Sequence, residues 1–438
     1  MAATRRGHAR DGRRRSPSQR EVLPNGVVVV SLPMAHARHT ALAIGVRVGS
    51  RHEPTELGGI SHFLEHMLFR GTAEHPTSFA QNFAFESLGG TLDAATSAET
   101  TVFSTSVPRD AAADAIALIA EMFREPVMAG LELERNVVKE EILDTLDEQD
   151  QLVDPDELVA QALFGAHPLG RSIGGTVASI EAIREEDLRA WHRRHYVGSN
   201  VTVTLAGALG PRALAAVRRE LGAIPRGRPT RTSPVVPAHA HDRHRVVRTT
   251  GSQVDVRVAV RAIGAGDPRF TALSMLARIL DDGMSARVFR ALVEDRGLAY
   301  EAFGNLDPYS DASIFALGAT CRPESTVAVT DALLALAAGA RGPLAAGELA
   351  RVQTRALFEL SLARDEPEAM AEVLLGGELR GDRLDIDDLE ARARAVTEAD
   401  VVALAAETFR AERLSVVAVG RVDARTRKAI ERAAERWT

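Results

Sequence analysis

The chain has 438 residues, of which 45% are hydrophobic, with a formal net charge of -7 and a pI near 6.0. This length exceeds that of one ordinary domain, so we expect two domains or more. The acidic balance supplies no basic face that could follow phosphates, which argues against a nucleic-acid partner. The single cysteine, Cys321, excludes an intrachain disulfide.

The first 20 residues are rich in arginine, and we interpret residues 1–20 as a disordered tail rather than a targeting segment. No apolar run approaches the roughly 20 residues that cross a bilayer. No apolar stretch follows the basic residues, as a secretory signal requires. The sequence therefore predicts a cytoplasmic protein without a membrane partner.

The apolar and β-branched segments 27–32 and 41–48 predict two strands in a hairpin or at a sheet edge. A further strand is expected between Gly90 and Val107. Helical periodicity occurs over residues 59–70, 78–88, 110–124, 131–150 and 155–164. This mixture of strands and helices predicts the α+β fold class.

An internal repeat relates residues 183–207 to residues 396–420 without gaps, at an offset of 213. Both copies give a helix, a turn, an apolar strand and a glycine, which predicts a pseudo-twofold duplication. We expect two homologous domains, each a mainly antiparallel sheet covered by helices. Residues 224–245 are rich in proline, arginine and histidine and predict a linker. The predicted domains then cover residues 21–223 and 246–438.

The segment from Ile60 to Phe69 has apolar residues at helical spacing, which predicts a helix with a buried back. His62 and His66 are four residues apart, so they lie one above the other, with Glu65 beside them. Two imidazoles at this spacing can bind one zinc ion without bending the backbone. The H-x-x-E-H pattern favours this site over two ordinary hydrogen-bonded histidines.

A catalytic zinc site takes a third protein ligand and keeps one position open. Glu134 and Glu141 are seven residues apart in the predicted helix 131–150, hence within about 20° of one azimuth. Glu140 points about 100° away, and we expect it to be solvated. We therefore predict one Zn²⁺ per chain, with Glu134 orienting a ligand or the water. The predicted ligands are His62, His66 and Glu141.

Four segments carry a resemblance over nearly the whole chain: GSRHEPTELGGISHFLEHMLFRGT, ERNVVKEEILD, HPLGRSIGGT and GLAYE. They resemble the pitrilysin-type metallopeptidases, the inverzincins, and among these the short branch that includes mitochondrial processing peptidase. The resemblance implies a zinc metalloendopeptidase. In it, His62, His66 and Glu141 match the zinc ligands, Glu65 the catalytic glutamate and Glu134 an auxiliary acid.

The resemblance also implies that two halves enclose a chamber, where an extended peptide substrate adds as a strand to an exposed sheet edge. Residues 90–96 are the predicted edge. The family usually has asparagine where this chain has Asp93. A carboxylate donates no hydrogen bond unless it is protonated, so we expect a difference in substrate preference or edge pairing.

The second half lacks the metal set, because the same offset aligns it with Met275, Arg278 and Ile279. In the family this half contributes an arginine and a tyrosine seven residues apart that hold the substrate. Tyr300 matches the tyrosine, whereas Val293 occupies the arginine position. Either Arg290 or Arg296 replaces that arginine, or a partner subunit supplies it. The resemblance thus implies a homodimer or a heterodimer with a related subunit.

In the implied mechanism Glu65 takes a proton from the zinc-bound water, and Tyr300 hydrogen-bonds the developing oxyanion. One alternative is a non-catalytic subunit, like the core proteins of respiratory complexes that resemble this family. Such a subunit would show a broken metal motif, and this chain does not. A thermolysin-like protease fails on residue order, because it places glutamate next to the first histidine.

Overall fold

The computed structural model describes residues 18–235, 242–381 and 385–437, and these ranges contain eleven strands and sixteen helices. The first half contains β1 (Gln19–Val22), β2 (Val28–Pro33), β3 (His39–Val46), α1 (Ile60–Leu68), α2 (Ser78–Ser87), β4 (Asp93–Thr96), β5 (Thr101–Pro108), α3 (Ala112–Arg124), α4 (Leu131–Leu143), α5 (Pro155–Phe164), α6 (Val177–Ala182), α7 (Glu185–His195), β6 (Val201–Gly207) and α8 (Pro211–Glu220).

The second half contains β7 (His244–Arg248), β8 (Val254–Ile263), α9 (Phe270–Leu280), α10 (Arg287–Phe289), β9 (Ala299–Pro308), β10 (Ala312–Cys321), α11 (Thr326–Gly339), α12 (Glu348–Ala363), α13 (Pro367–Arg380), α14 (Ile386–Ala395), α15 (Glu398–Thr408), β11 (Leu414–Gly420) and α16 (Ala424–Arg436). A π-helical turn over Arg290–Glu294 follows α10. Within the described ranges, no helix is both long enough and apolar enough to span a membrane.

The two sheets share one topology. Their strand orders are β1-β2-β6-β3-β5-β4 and β7-β11-β8-β10-β9, so the second sheet repeats the first without its edge strand β1. Only the β2–β6 and β7–β11 pairs are parallel. The α+β class with two related, mainly antiparallel sheets is confirmed.

The repeat holds at the level of single residues. Helix α7 begins at Glu185 and α15 at Glu398, while β6 ends at Gly207 and β11 at Gly420. Both pairs differ by the offset of 213 that the sequence shows. Matching ends at both elements favour duplication over a chance match.

The predicted hairpin is wrong. Strands β2 and β3 do not pair, because β6 lies between them, parallel to β2 and antiparallel to β3. Apolar patterning reveals that a segment is a strand, but not which strand becomes its neighbour. Here the neighbour comes from residues 201–207, far along the chain.

Three predicted boundaries also need correction. The tail over residues 1–20 reaches into β1, where Arg20 Nε donates to Glu378 Oε1 at 2.7 Å; residues 1–17 lie outside the described part. The linker over residues 224–245 overlaps β7 at its last two positions, and residues 236–241 are likewise outside. The helix over residues 131–150 ends at Leu143. Beyond it, Asp147 accepts hydrogen bonds from the backbone of Gln149 and Gln151, which competes with helical bonding.

Each half covers the sheet of the other. Helix α13 of the second half packs Met370, Ala371 and Leu375 against small residues on the outer face of β3 and β6. Conversely, α5 of the first half packs Leu158 and Val159 against β8 and β11. Helix α5 begins at Pro155 and α13 at Pro367, 212 residues later and one short of the repeat offset, so the two helices occupy equivalent places in the two halves. The two cores are therefore interlocked by a symmetric exchange of helices.

Candidate metal centre and active site

Helix α1 is fixed by a fully buried face and by a glycine at its start. Gly59 has φ +88°, and a Cβ there would lie 2.3 Å from the carbonyl oxygen of Gly174, so only glycine fits. The apolar residues of the buried face are Ile60, Phe63, Leu64, Met67 and Leu68. With that face against the core, the polar positions of α1 turn toward α4 and β4.

The structure brings together the three side chains predicted as zinc ligands. His62 Nε2 and His66 Nε2 are 3.1 Å apart, and Glu141 Oε2 lies 3.6 Å from each. The three donor atoms lie within 4.8 Å of one another. Zinc binds imidazole nitrogen at about 2.0–2.1 Å and carboxylate oxygen at about 2.0–2.2 Å, so this donor set fits one ion.

Glu134 orients the second histidine. Its Oε1 lies 2.9 Å from His66 Nδ1, while Arg70 Nη1 approaches its Oε2 at 3.5 Å. When Nδ1–H donates to this carboxylate, the lone pair of Nε2 faces Glu141 and His62, as ligation requires. The structure therefore places Glu134 where the sequence predicts an orienting acid. Glu140 is exposed, as expected.

The two histidines differ in their preference for a proton. Burial, followed by the charge of His66, lowers the pKa of His62 to about 4, so this ring is neutral at neutral pH. Burial also lowers the pKa of His66, but its hydrogen bond to Glu134 and the charge of Glu141 outweigh burial and raise it overall. Because zinc binds the neutral ring, metal and proton compete for His66.

Glu65 is buried and held by a threonine that the sequence did not assign to the site. Thr96 Oγ1 donates to Glu65 Oε2 at 2.5 Å, and Thr101 Oγ1 lies 3.4 Å behind Thr96 Oγ1. Burial raises the pKa of Glu65, against the hydrogen bond from Thr96. A carboxylate whose pKa is raised is a better proton acceptor once it is ionised.

Of the predicted edge over residues 90–96, only residues 93–96 form a strand, β4, and this strand lies at the edge of the first sheet beside the candidate metal ligands. Strand β4 is the last strand of its sheet and pairs only with β5. A cavity of about 360 Å³ is lined by residues 94–96 of this strand, by His62, Glu65 and Glu141, and by residues 172–174. A second cavity of about 710 Å³ adjoins it through Ile142 and Glu157. An open strand edge beside a metal set is suited to an extended chain.

The residues predicted from the second half do not reach these cavities. Tyr300, near the start of the edge strand β9, is 93% exposed. Val293 packs against the core of the second half. Arg290 Nε lies 3.4 Å from Asp295, and Arg296 is exposed. In α9, Met275 and Ile279 are buried in the core, and Arg278 pairs with Asp282 and Glu359.

We expect Thr96→Val to reduce kcat by about tenfold while KM and zinc content stay near wild type, because it removes a charge-assisted hydrogen bond to Glu65 without changing side-chain volume. Thr96→Ser, which keeps the hydroxyl, should restore most of the rate. Peptide-cleavage kinetics on zinc-quantified samples would check both. Equal loss in the serine variant would contradict the role of the hydroxyl.

The fold and the site together define a two-domain protein in which one domain has a helix with candidate metal ligands and the other has a copy of that helix without them. Two family models match the chain: residues 28–177 match the insulinase model of peptidase family M16, and residues 182–355, which include α7, β6 and α8 of the first half, match the M16 inactive domain.

The chain is also similar to named relatives and to a solved structure. A protein of Mycobacterium tuberculosis named an uncharacterized zinc protease is 34% identical over 334 residues, covering 71% of this chain and 74% of that protein. A protein of the same description from Streptomyces coelicolor is 28% identical over 425 residues, covering 91% and 89%. The crystal structure of an M16 inactive domain from Pseudomonas fluorescens superposes with a TM-score of 0.84 at 21% identity, covering 93% and 99%.

This chain belongs to peptidase family M16, with an insulinase-type match followed along the chain by an inactive-domain match. The resemblance to the pitrilysin-type metallopeptidases is confirmed. The placement in the short, processing-peptidase-like branch stays a prediction.

Proposed function

We propose that this protein is a zinc-dependent endopeptidase that cleaves extended peptides in an enclosed chamber. The observation that carries the proposal is the convergence of His62, His66 and Glu141, with Glu65 beside them, at the open edge of β4. The zinc-protease names of the relatives support the same chemistry. One ion per chain is expected, because the second half has no equivalent ligands among its described residues.

When bound, zinc would polarise the peptide carbonyl and acidify the attacking water. Side chains and backbone of this chain transfer the proton and position the substrate. Glu65 accepts the proton of the water and passes it to the leaving amine, and Thr96 holds the carboxylate that does so. Glu134 fixes the ring of His66. The free edge of β4 orders the substrate backbone by strand addition, so the scissile bond lies over Glu65.

We further propose that a second chain, another copy or a related subunit, completes the site. The observations in support are Val293 at the arginine position and the full exposure of Tyr300 away from the metal cavity. A heterodimer in which this chain bears the metal is the second candidate. Replacement of the missing arginine by Arg290 or Arg296 of the same chain is the alternative, but neither lines the metal cavity in this structure.

The test is cleavage of a quenched fluorescent peptide library by the purified chain, with zinc and oligomeric state measured on the same sample. Chelation should abolish cleavage and zinc should restore it. A folded protein offered as substrate in place of the peptides should not be cleaved, because the enclosed chamber admits only extended chains. Zinc-dependent cleavage that needs an added related subunit would favour the heterodimer. A zinc-loaded sample that cleaves nothing, alone or with such a subunit, would contradict the peptidase proposal and favour a scaffold role.

A further inference from the structure

A third cavity, separate from the two beside the metal ligands, lies where the end of α7 meets the segment after α8. Its volume is about 590 Å³, within the range of small-molecule sites. Seven residues line it: His52, Arg194, His195, Arg228, Pro229, Thr230 and Arg231. No carboxylate is among these lining residues, so the cavity is strongly positive.

The three arginines of this cavity are available to a ligand. Within the described ranges, none of Arg194, Arg228 and Arg231 forms an ion pair, and all three are exposed at the cavity mouth. Glu99 acts electrostatically on His52, but its carboxylate is bonded to Arg51 and Ser310 instead. Unpaired guanidinium groups present planar donor pairs that fit phosphate and carboxylate oxygens.

The wall of the cavity is fixed by partly buried hydrogen bonds. The backbone N–H of Thr230 donates to Asn200 Oδ1 at 2.8 Å, and Asn200 Nδ2 donates to Thr230 Oγ1 at 2.9 Å. Thr230 Oγ1 also lies 2.9 Å from His195 Nδ1. Thr230 is therefore held by Asn200 and His195. This fixes the backbone between Arg228 and Arg231.

His195 forms part of the buried wall of this cavity. The residue is 4% exposed, and its Nε2 has no hydrogen-bond partner within the described part of the chain. Buried polar atoms are almost always hydrogen-bonded, so an unpaired one at a cavity calls for an explanation. Burial, with the charges of Arg194 and His52, lowers the pKa of His195 to about 3, so the ring is neutral. If the Thr230 hydroxyl donates to Nδ1, the hydrogen is on Nε2, which has almost no accessible surface and therefore lies behind the cavity wall.

We propose that this cavity binds a small phosphate-bearing anion, either free phosphate or a phosphate monoester. The guanidinium groups supply the charge and the donors, and Thr230 and His195 form the fixed wall between them. Because the arginines are exposed, binding should weaken as ionic strength rises. The site is independent of peptide cleavage, and its failure would leave the proposed peptidase function untouched.

Isothermal titration calorimetry of the zinc-loaded chain with inorganic phosphate and, separately, with AMP tests this proposal. We expect saturable binding of at least one of them at low salt. Arg194→Ala and Arg231→Ala should each weaken it by about tenfold or more, as expected for hydrogen bonds to charged groups. Arg193→Ala and Arg226→Ala, exposed neighbours that do not line the cavity, are the matched controls and should change it little.

A chelated sample, titrated in parallel, separates phosphate bound at the metal from phosphate bound at the arginines, because only the former disappears with zinc. Binding of AMP without inorganic phosphate, lost in the arginine variants, would identify a monoester site. The proposal is overturned if neither ligand binds at millimolar concentration. It is also overturned if the cavity variants and the control variants behave alike.

Discussion

Replacing Glu65 with glutamine should lower kcat for peptide cleavage by about 10²–10⁴, the usual contribution of a general base. Zinc content should stay at the wild-type level, because Glu65 is not among the three converging donors. The amide keeps the volume of the side chain and can still bond Thr96, so the fold should be unaffected. Steady-state kinetics on samples of known zinc content would measure both quantities.

The matched control is Glu140→Gln, an exposed glutamate on α4 next to the proposed ligand, which should leave rate and zinc unchanged. Glu141→Gln should instead lose zinc and activity together. Wild-type turnover in zinc-replete Glu65→Gln protein would remove this residue from the mechanism.

Replacing Leu375 with alanine should destabilise the first sheet, although Leu375 belongs to the second half by sequence. Its side chain is 3% exposed and packs on Gly45 of β3, where an added Cβ would lie 3.1 Å from its Cδ1. Truncation of a buried leucine costs about 2–5 kcal/mol of unfolding free energy. Urea denaturation followed by the fluorescence of Trp191, in a Trp437→Phe background, would report on the first half alone.

The control for this prediction is Leu362→Ala, at a 48% exposed position of α12, which should change stability by about 0.5 kcal/mol or less. An unchanged Trp191 transition in Leu375→Ala protein would show that the exchanged helix contributes nothing to the first sheet. Loss of stability would show that the halves fold as one interlocked unit.

The helix that bears the proposed metal ligands, α1, could be predicted because its signal is local. Spacing alone places His62, Glu65 and His66 on one face of a helix, and the seven-residue interval places Glu134 and Glu141 on one face of another. The repeat at offset 213 predicted the second domain in the same way, since two copies of one segment need no knowledge of their neighbours.

What the sequence did not show depends on long-range contacts. The pairing of β2 with β6 and the exchange of α5 and α13 join segments at least 90 residues apart. The hydrogen bond from Thr96 to Glu65 depends on how β4 lies against α1. Thr96 was predicted as part of the sheet edge, but the alternation of side chains along a strand does not show which of them contacts α1.

The most direct measurement is the anomalous signal at the zinc edge in crystals of the purified chain, together with zinc quantification in solution. We predict one ion per chain, about 2.0–2.2 Å from His62 Nε2, His66 Nε2 and a carboxylate oxygen of Glu141, with Glu65 unligated. No ion at these residues in zinc-replete protein, or zinc bound elsewhere at full occupancy, would contradict the account.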